Sequence, residues 1–201
     1  MTLPRGRHGL SREAVVASQR DRLLQAMADA VAEKGYARVA VADVLKRARV
    51  SRETFYEQFG SKEECFLATF DRAAEILLGR LAEVAGGSGG SGDAFERLVG
   101  AYLDAIASEP AYARVFLVES PSVGVEAVRR RAAIQARFTD ALAGVLGVRA
   151  PHERFACEVL VAAVGAMVSI RLALGEYGSL HELREPIADL VRRAQSTRPG
   201  E

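Results

Sequence analysis

Between Arg49 and Lys62 stands a set of side chains whose chemistry suits a nucleic acid better than a covalent reaction. Arg52 can offer guanine two parallel N–H donors, and Gln58 can pair its amide with adenine. Glu53 and Glu57 can accept from cytosine N4, although their charge repels phosphate. Thr54 and Tyr56 carry hydroxyls that can donate to phosphate oxygens. Lys62 falls at the start of a helix, where unpaired N–H groups already favour an anion, and reads as a phosphate clamp. Arg49 adds positive charge nearby, together with Lys46 and Arg47. Catalysis has no comparable set. His8, His152 and His181 are scattered, and no nucleophile–base pair or metal-ligand spacing occurs. The expectation is a protein that is not an enzyme and takes no metal and no cofactor.

The elements that must position these groups are helical. Val41 to Ala48 has Val44, Leu45 and Ala48 on one face. Ser51 can cap a second short helix, Arg52 to Phe59, whose Phe55 and Phe59 share the side away from Glu53, Thr54, Tyr56 and Glu57. Gly60 ends it. Ser61-Lys62-Glu63-Glu64 then has the form of a capping box, opening a long helix to about Ala85 with Phe66, Phe70, Ala73, Leu77 and Leu81 as its buried stripe. Upstream, Leu23, Leu24, Met27, Ala30 and Val31 mark a helix that stops at Gly35. Its start is open: Ser11 can cap an early turn, and Ser18 or Asp21 can begin the main helix.

Charge is unevenly spread. Residues 1–62 hold 12 Lys/Arg against 7 Asp/Glu, a net +5, whereas residues 63–201 are at −4. A basic head on an acidic body fits a polyanion-binding head. Arg5, Arg7 and Arg12 stand in or beside a Pro- and Gly-containing N-terminal segment, read as a flexible basic arm over 1–17 that can enter a minor groove. Cys65 and Cys157 lie singly in apolar helical patterns and read as buried reduced thiols, which points to the cytoplasm. No signal peptide and no uninterrupted apolar run of spanning length is evident, so no membrane partner is expected.

The segment 86–92, GGSGGSG, predicts a flexible loop. Beyond it the pattern predicts helices from Asp93 to Ser108, Pro110 to Glu119, Gly124 to Leu146, Pro151 to Leu174 and Leu180 to Gln195, about nine in all. Arg129-Arg130-Arg131 reads as a solvated face. The helix ending at Leu174 is apolar nearly all round from Arg154 and must be covered on most sides.

The run GYARVAVADVLKRARVSRETFYEQFGSKEECFLATF resembles the N-terminal domain of tetracycline-repressor-type (TetR) regulators. Four features carry the resemblance: Lys34-Gly35-Tyr36, Val50-Ser51, Thr54-Phe55-Tyr56 with Phe59, and Ser61 to Glu64. The opening segment is similar to the arms of actinobacterial members. The resemblance implies an all-α fold, with a helix-turn-helix domain over 18–77 (motif 41–60) and a helical effector-binding and dimerisation domain over 78–201. It implies a regulator of double-stranded DNA, a repressor bound to a palindromic operator as a homodimer. Arg52, Glu53, Thr54 and Gln58 match positions that approach base edges or nearby backbone, and Tyr56 and Lys62 match phosphate contacts. The helices 154–174 and 180–195 would form the dimer interface, with core burial an equally consistent reading of their pattern. A small lipophilic effector would occupy a cavity lined by Tyr102, Phe116, Phe138 and Met167. A constitutive DNA-binding or interaction module without effector is the alternative, and a helical enzyme a weaker one. Two positions depart from the family pattern: Arg49 replaces a frequent turn Gly, and Ala40 replaces a frequent capping Thr.

Overall fold

The computed structural model describes residues 12–85 and 91–196, and among them the fold is all α, with nine α-helices and no strand. α1 (Arg12–Lys34) begins well before Ser18. Nothing in EAVVASQ breaks a helix, and Glu13 suits the first turn, so the helix continues past the core into solvent. Residues 12–17 are therefore helical rather than part of an arm. Arg5 and Arg7 lie outside the described residues.

After a single 3₁₀ turn (Tyr36–Arg38), α2 (Val41–Ala48) and α3 (Arg52–Gln58) fold against α1. Leu23, Met27, Val31, Val44, Phe55 and Phe59 meet in full burial beneath them. α4 (Lys62–Ala85) is the spine. Its stripe of Cys65, Phe66, Phe70, Ala73, Leu77 and Leu81 is buried first against the head and then against the body. Burial pushes the Cys65 thiol up to about 12, as befits an inert core cysteine.

The body comprises α5 (Ser91–Ser108), α6 (Pro110–Arg114), α7 (Val125–Leu146), α8 (Pro151–Leu174) and α9 (Arg184–Ser196). Ser91 and Gly92, expected in the flexible loop, form the first turn of α5; residues 86–90 of that loop lie outside the described residues. A 3₁₀ stretch (Tyr177–Leu183) replaces the expected start of the last helix.

The helix expected from Pro110 to Glu119 changes character halfway. After Arg114 it widens into a π turn (Val115–Glu119), then tightens into a 3₁₀ turn (Ser120–Ser122). Pro121 supplies the reason. It has no N–H to return to the Leu117 carbonyl, which instead accepts from Arg131 Nη1 at 2.8 Å and Ser169 Oγ at 3.2 Å. The backbone defect is thus bound by side chains of α7 and α8.

One hydrophobic cluster runs from Leu23 in α1 to Val191 in α9, so head and body share a core. α8 is the exception to burial. It is long and apolar enough to cross a membrane by length and composition alone, with a mean hydropathy of 2.0, although charged residues interrupt its apolar run. Only Cys157, Val168 and Leu172 of it are buried, against α7 and the π turn. Phe155, Ile170 and Leu174, with Leu190 of α9, are 59–67% exposed. The expectation that α8 is covered on most sides fails for the single chain.

Candidate nucleic-acid interface

α3 is only seven residues long, too short to hold itself in water. Three devices hold it. Ser51 caps it, with Oγ accepting from the Thr54 N–H at 3.0 Å and lying 2.9 Å from Thr54 Oγ1. Phe55 and Phe59 anchor its inner side, with ring centroids 5.8 Å apart. Arg20 of α1 lays its guanidinium 4.5 Å from the Phe59 ring centre and reaches the Gln58 carbonyl at 3.4 Å.

That anchoring leaves Arg52, Glu53, Tyr56 and Glu57 exposed on one outward face. Arg52, Glu53 and Glu57 make no hydrogen bond or ion pair with any described residue, so they are free to meet a ligand. Thr54 and Gln58 are half-buried on the flanks. The Thr54 hydroxyl is engaged with Ser51 and so serves the cap first.

Arg49 ends α2 at φ 55°, ψ 47°, the one non-glycine residue with positive φ among the described residues. The turn does adopt the left-handed conformation that glycine would take without cost. The Arg49 side chain stays exposed beside α3. At the other end of α2, Ala40 offers no capping oxygen. Asp43 supplies half of the cap, its Oδ2 accepting from the Ala40 N–H at 2.9 Å while Oδ1 pairs with Lys34 at 2.6 Å. The Lys34 hydrogen bond, then the Ala40 N–H, hold the Asp43 carboxyl below its ordinary range.

Lys62, expected as a phosphate clamp, also has partners within the chain. Its Nζ donates to the Tyr36 carbonyl at 3.1 Å and the Val39 carbonyl at 3.0 Å, and sits 4.1 Å from the centre of the Tyr36 ring. Two of its three donors are occupied, so Lys62 first pins the turn before α2 and has one N–H left for phosphate. α4 itself starts as its sequence implied: Ser61 Oγ accepts from the Glu64 N–H at 3.0 Å. The Glu64 carboxylate reaches back to Gly60 N–H at 2.7 Å, one residue beyond a standard capping box.

Residues missed by the sequence reading tie this interface to the body. The buried carboxylate of Glu119, in the π turn, accepts from the Tyr36 N–H at 3.0 Å. Gly35 at φ 75° brings the backbone close enough: a Cβ there would lie 3.6 Å from Glu119 Oε2. Arg114 stands 3.6 Å from the other Glu119 oxygen and donates to the Leu172 carbonyl of α8 at 2.9 Å. Glu119 was legible as a lone carboxylate in the apolar run VFLVES. Its partner, a backbone N–H, leaves no mark in sequence.

In the body, an apolar cavity of about 80 Å³ lies between α4, α5, α7 and α8, with walls that include Leu81, Phe95, Tyr102, Phe138, Leu160 and Val164. Tyr102 and Phe138 are among its walls. Phe116 is not: it packs between Phe70 and Phe138, at centroid distances of 5.0 and 6.2 Å. Met167 is half-buried and is not a wall of this cavity. Among the described residues no cluster of metal-ligating side chains occurs.

Comparison with known proteins agrees with this architecture. The family model for bacterial regulatory proteins of the tetR family matches residues 23–69, and that for the tetracyclin repressor-like C-terminal domain matches residues 92–199. No curated protein sequence matches the chain. Among solved structures, the fatty acid degradation regulator FadR from Bacillus halodurans superposes with a TM-score of 0.74 at 18% identity, covering 86% of this chain and 93% of that one. FadR from Bacillus subtilis in complex with stearoyl-CoA gives 0.74 at 17% identity, over 85% and 96%. A TetR transcriptional regulator from Chloroflexus aurantiacus gives 0.73 at 19%, over 89% and 96%. At these identities the likeness concerns the fold. The two family models together account for both head and body, and the chain belongs to the TetR family of DNA-binding transcriptional regulators.

Proposed function

We propose that this regulator is a repressor that binds a palindromic operator as a two-fold dimer and leaves it when a lipophilic small molecule occupies the body. The observation that carries the DNA-reading part is the outward face of α3. Arg52, Glu53, Tyr56 and Glu57 are displayed together on a helix made rigid by two fully buried phenylalanines. Arg49 adds an exposed positive charge beside α3, and Arg5 and Arg7 add to the basic charge of the N-terminal sequence.

The bare apolar face of α8 and α9 supports the dimer. Phe155, Val159, Ile170 and Leu174 recur at helical spacing, with Ala162, Ala163 and Ala166 between them allowing close approach. Burying that face against a second copy removes an extended apolar exposure. Two recognition helices about 34–36 Å apart then read half-sites one turn apart.

The cavity supports a lipophilic effector, in keeping with the stearoyl-CoA bound to the Bacillus subtilis relative. Its roughly 80 Å³ is about half of an engineered cavity that admits benzene, so an effector must push the helices around it apart. A coupling of about 1–3 kcal/mol weakens operator binding by about five- to 150-fold.

The deciding experiment is genome-wide mapping of bound sites followed by anisotropy titration on the recovered sequence. Expected are an inverted repeat, altered base preference for Arg52→Ala or Gln58→Ala, and a uniformly weaker Tyr56→Phe. Binding that none of the three changes would place the reading face elsewhere.

A further inference from the structure

The run Arg129-Arg130-Arg131 does not form one solvated face. Arg129 is exposed, Arg130 pairs with Asp71 and with Glu126, and Arg131 turns inward. On α7, Arg131, Ile134, Phe138 and Leu142 share one face at i, i+3, i+7 and i+11, and Phe138 and Leu142 are cavity walls. Arg131 therefore continues the cavity stripe beyond its aromatic end, toward the π turn.

The guanidinium there is half-buried and has no carboxylate partner among the described residues. Its Nη1 is held by the Leu117 carbonyl at 2.8 Å and lies 3.4 Å from Ser120 Oγ. Nε and Nη2 make no hydrogen bond to a described residue. Tyr102, a cavity wall on α5, lies within electrostatic reach of Arg131, and its hydroxyl also has no partner among the described residues. Burial pushes the Arg131 guanidinium down from its ordinary value and the Tyr102 phenol up. A phenol on the wall of an otherwise apolar cavity, and a cation about two turns before Phe138 on the same face of α7 though not itself a wall, form a pattern that fixes the orientation of a ligand's polar end once the helices part.

We propose that Arg131 and Tyr102 form the headgroup subsite of the effector cavity, and that the effector is an amphiphilic carboxylic acid with its alkyl chain directed toward Phe95 and Leu81. The proposal rests on the cavity being the effector site. Two carboxylate oxygens match the free Nε and Nη2 donors and the Tyr102 hydroxyl, and the charge-assisted bonds compensate a cation already partly removed from water. A neutral lipophile of the same length fills the cavity and leaves both donors unpaired.

The test uses the full-length protein with decanoate and 1-decanol, matched in chain length, read by melting temperature and by calorimetric titration. Expected is tighter binding of decanoate. Tyr102→Phe and Arg131→Gln should each lower decanoate affinity by about ten- to 100-fold and leave decanol affinity near the unmutated value. Tyr102→Phe removes only a hydroxyl, so it keeps the test decisive if loss of the Arg131–Leu117 contact unfolds Arg131→Gln. Equal binding of acid and alcohol, or an acid preference that survives both substitutions, overturns the headgroup subsite alone. Failure of both ligands to bind overturns the effector cavity as well.

Discussion

The Glu119 carboxylate receives the Tyr36 N–H at 3.0 Å across 83 residues of sequence, and the Tyr36 carbonyl in turn receives Lys62 Nζ at 3.1 Å. The backbone of a single residue thus joins the π turn of the body to the first turn of α4. Glu119→Ala leaves the Tyr36 N–H without its acceptor and Arg114 without its carboxylate, though still bonded to the Leu172 carbonyl. It should lower stability by about 1–3 kcal/mol in urea unfolding. Operator affinity measured on the folded fraction should fall too, because the turn held by Lys62 loses its brace. Glu119→Gln keeps an acceptor oxygen and should retain most of both. If alanine and glutamine behave alike in both assays, the link has no positional role.

Arg49 stands in the left-handed region that costs an ordinary residue about 1–2 kcal/mol. Arg49→Gly should relieve much of that strain and raise the denaturation midpoint. The same change removes a cation beside α3, so operator binding should weaken and the slope of log K against log salt should become shallower by about one unit. A protein made stabler and a weaker DNA binder by one substitution would separate the two roles of this residue.

Asp43 gives a pH signature. Its carboxyl lies below its ordinary range in the folded chain, chiefly through the Lys34 hydrogen bond and then the Ala40 N–H. A carboxyl depressed by folding adds stability above its unfolded pKa and loses it as pH falls through the folded one. Melting temperatures of the unmutated protein and Asp43→Asn should therefore differ at neutral pH and converge as the solution is acidified through the carboxylate range. A gap that stays constant with pH would show that the ion pair is not its source.

Ala40 leaves the start of α2 with backbone and Asp43 partners but no capping oxygen of its own. Its φ of −101° and ψ of 155° already suit a cap residue. Ala40→Ser should add about 0.5–2 kcal/mol, measured by chemical denaturation.

For the α8 face, Ile170→Glu places a charge on the exposed apolar stripe without replacing the buried Val168 or Leu172. Light scattering should show monomers with unchanged helicity, and operator binding should fall steeply because the half-sites are no longer joined. A dimer that persists would assign that stripe to another partner.

Much of the head was legible because its signals are local. Ser51, Phe55, Phe59 and the Ser61–Glu64 cap act within one or two turns, and periodicity exposes them. The body was legible in outline only. The π turn arises from Pro121 together with Arg131 and Ser169, which lie well away from it in sequence. Lys62 was legible as a cation at a helix start, but its direction was not, because two carbonyls in the preceding turn claim it. Phe116 and Met167 show the limit for the cavity: an apolar helical position does not distinguish a wall from packed core.

The division of labour within α3 has an evolutionary consequence. Phe55, Phe59, Ser51 and Arg20 fasten the helix, whereas the side chains of Arg52, Glu53 and Glu57 make no hydrogen bond or ion pair with any described residue. Substitutions at those three positions carry little folding penalty, so operator preference can drift by single steps while the scaffold stays intact. Thr54 lacks that freedom, since its hydroxyl is shared with the cap. Libraries that vary positions 52, 53 and 57 and hold 54 constant should therefore yield folded regulators for new operators at high frequency.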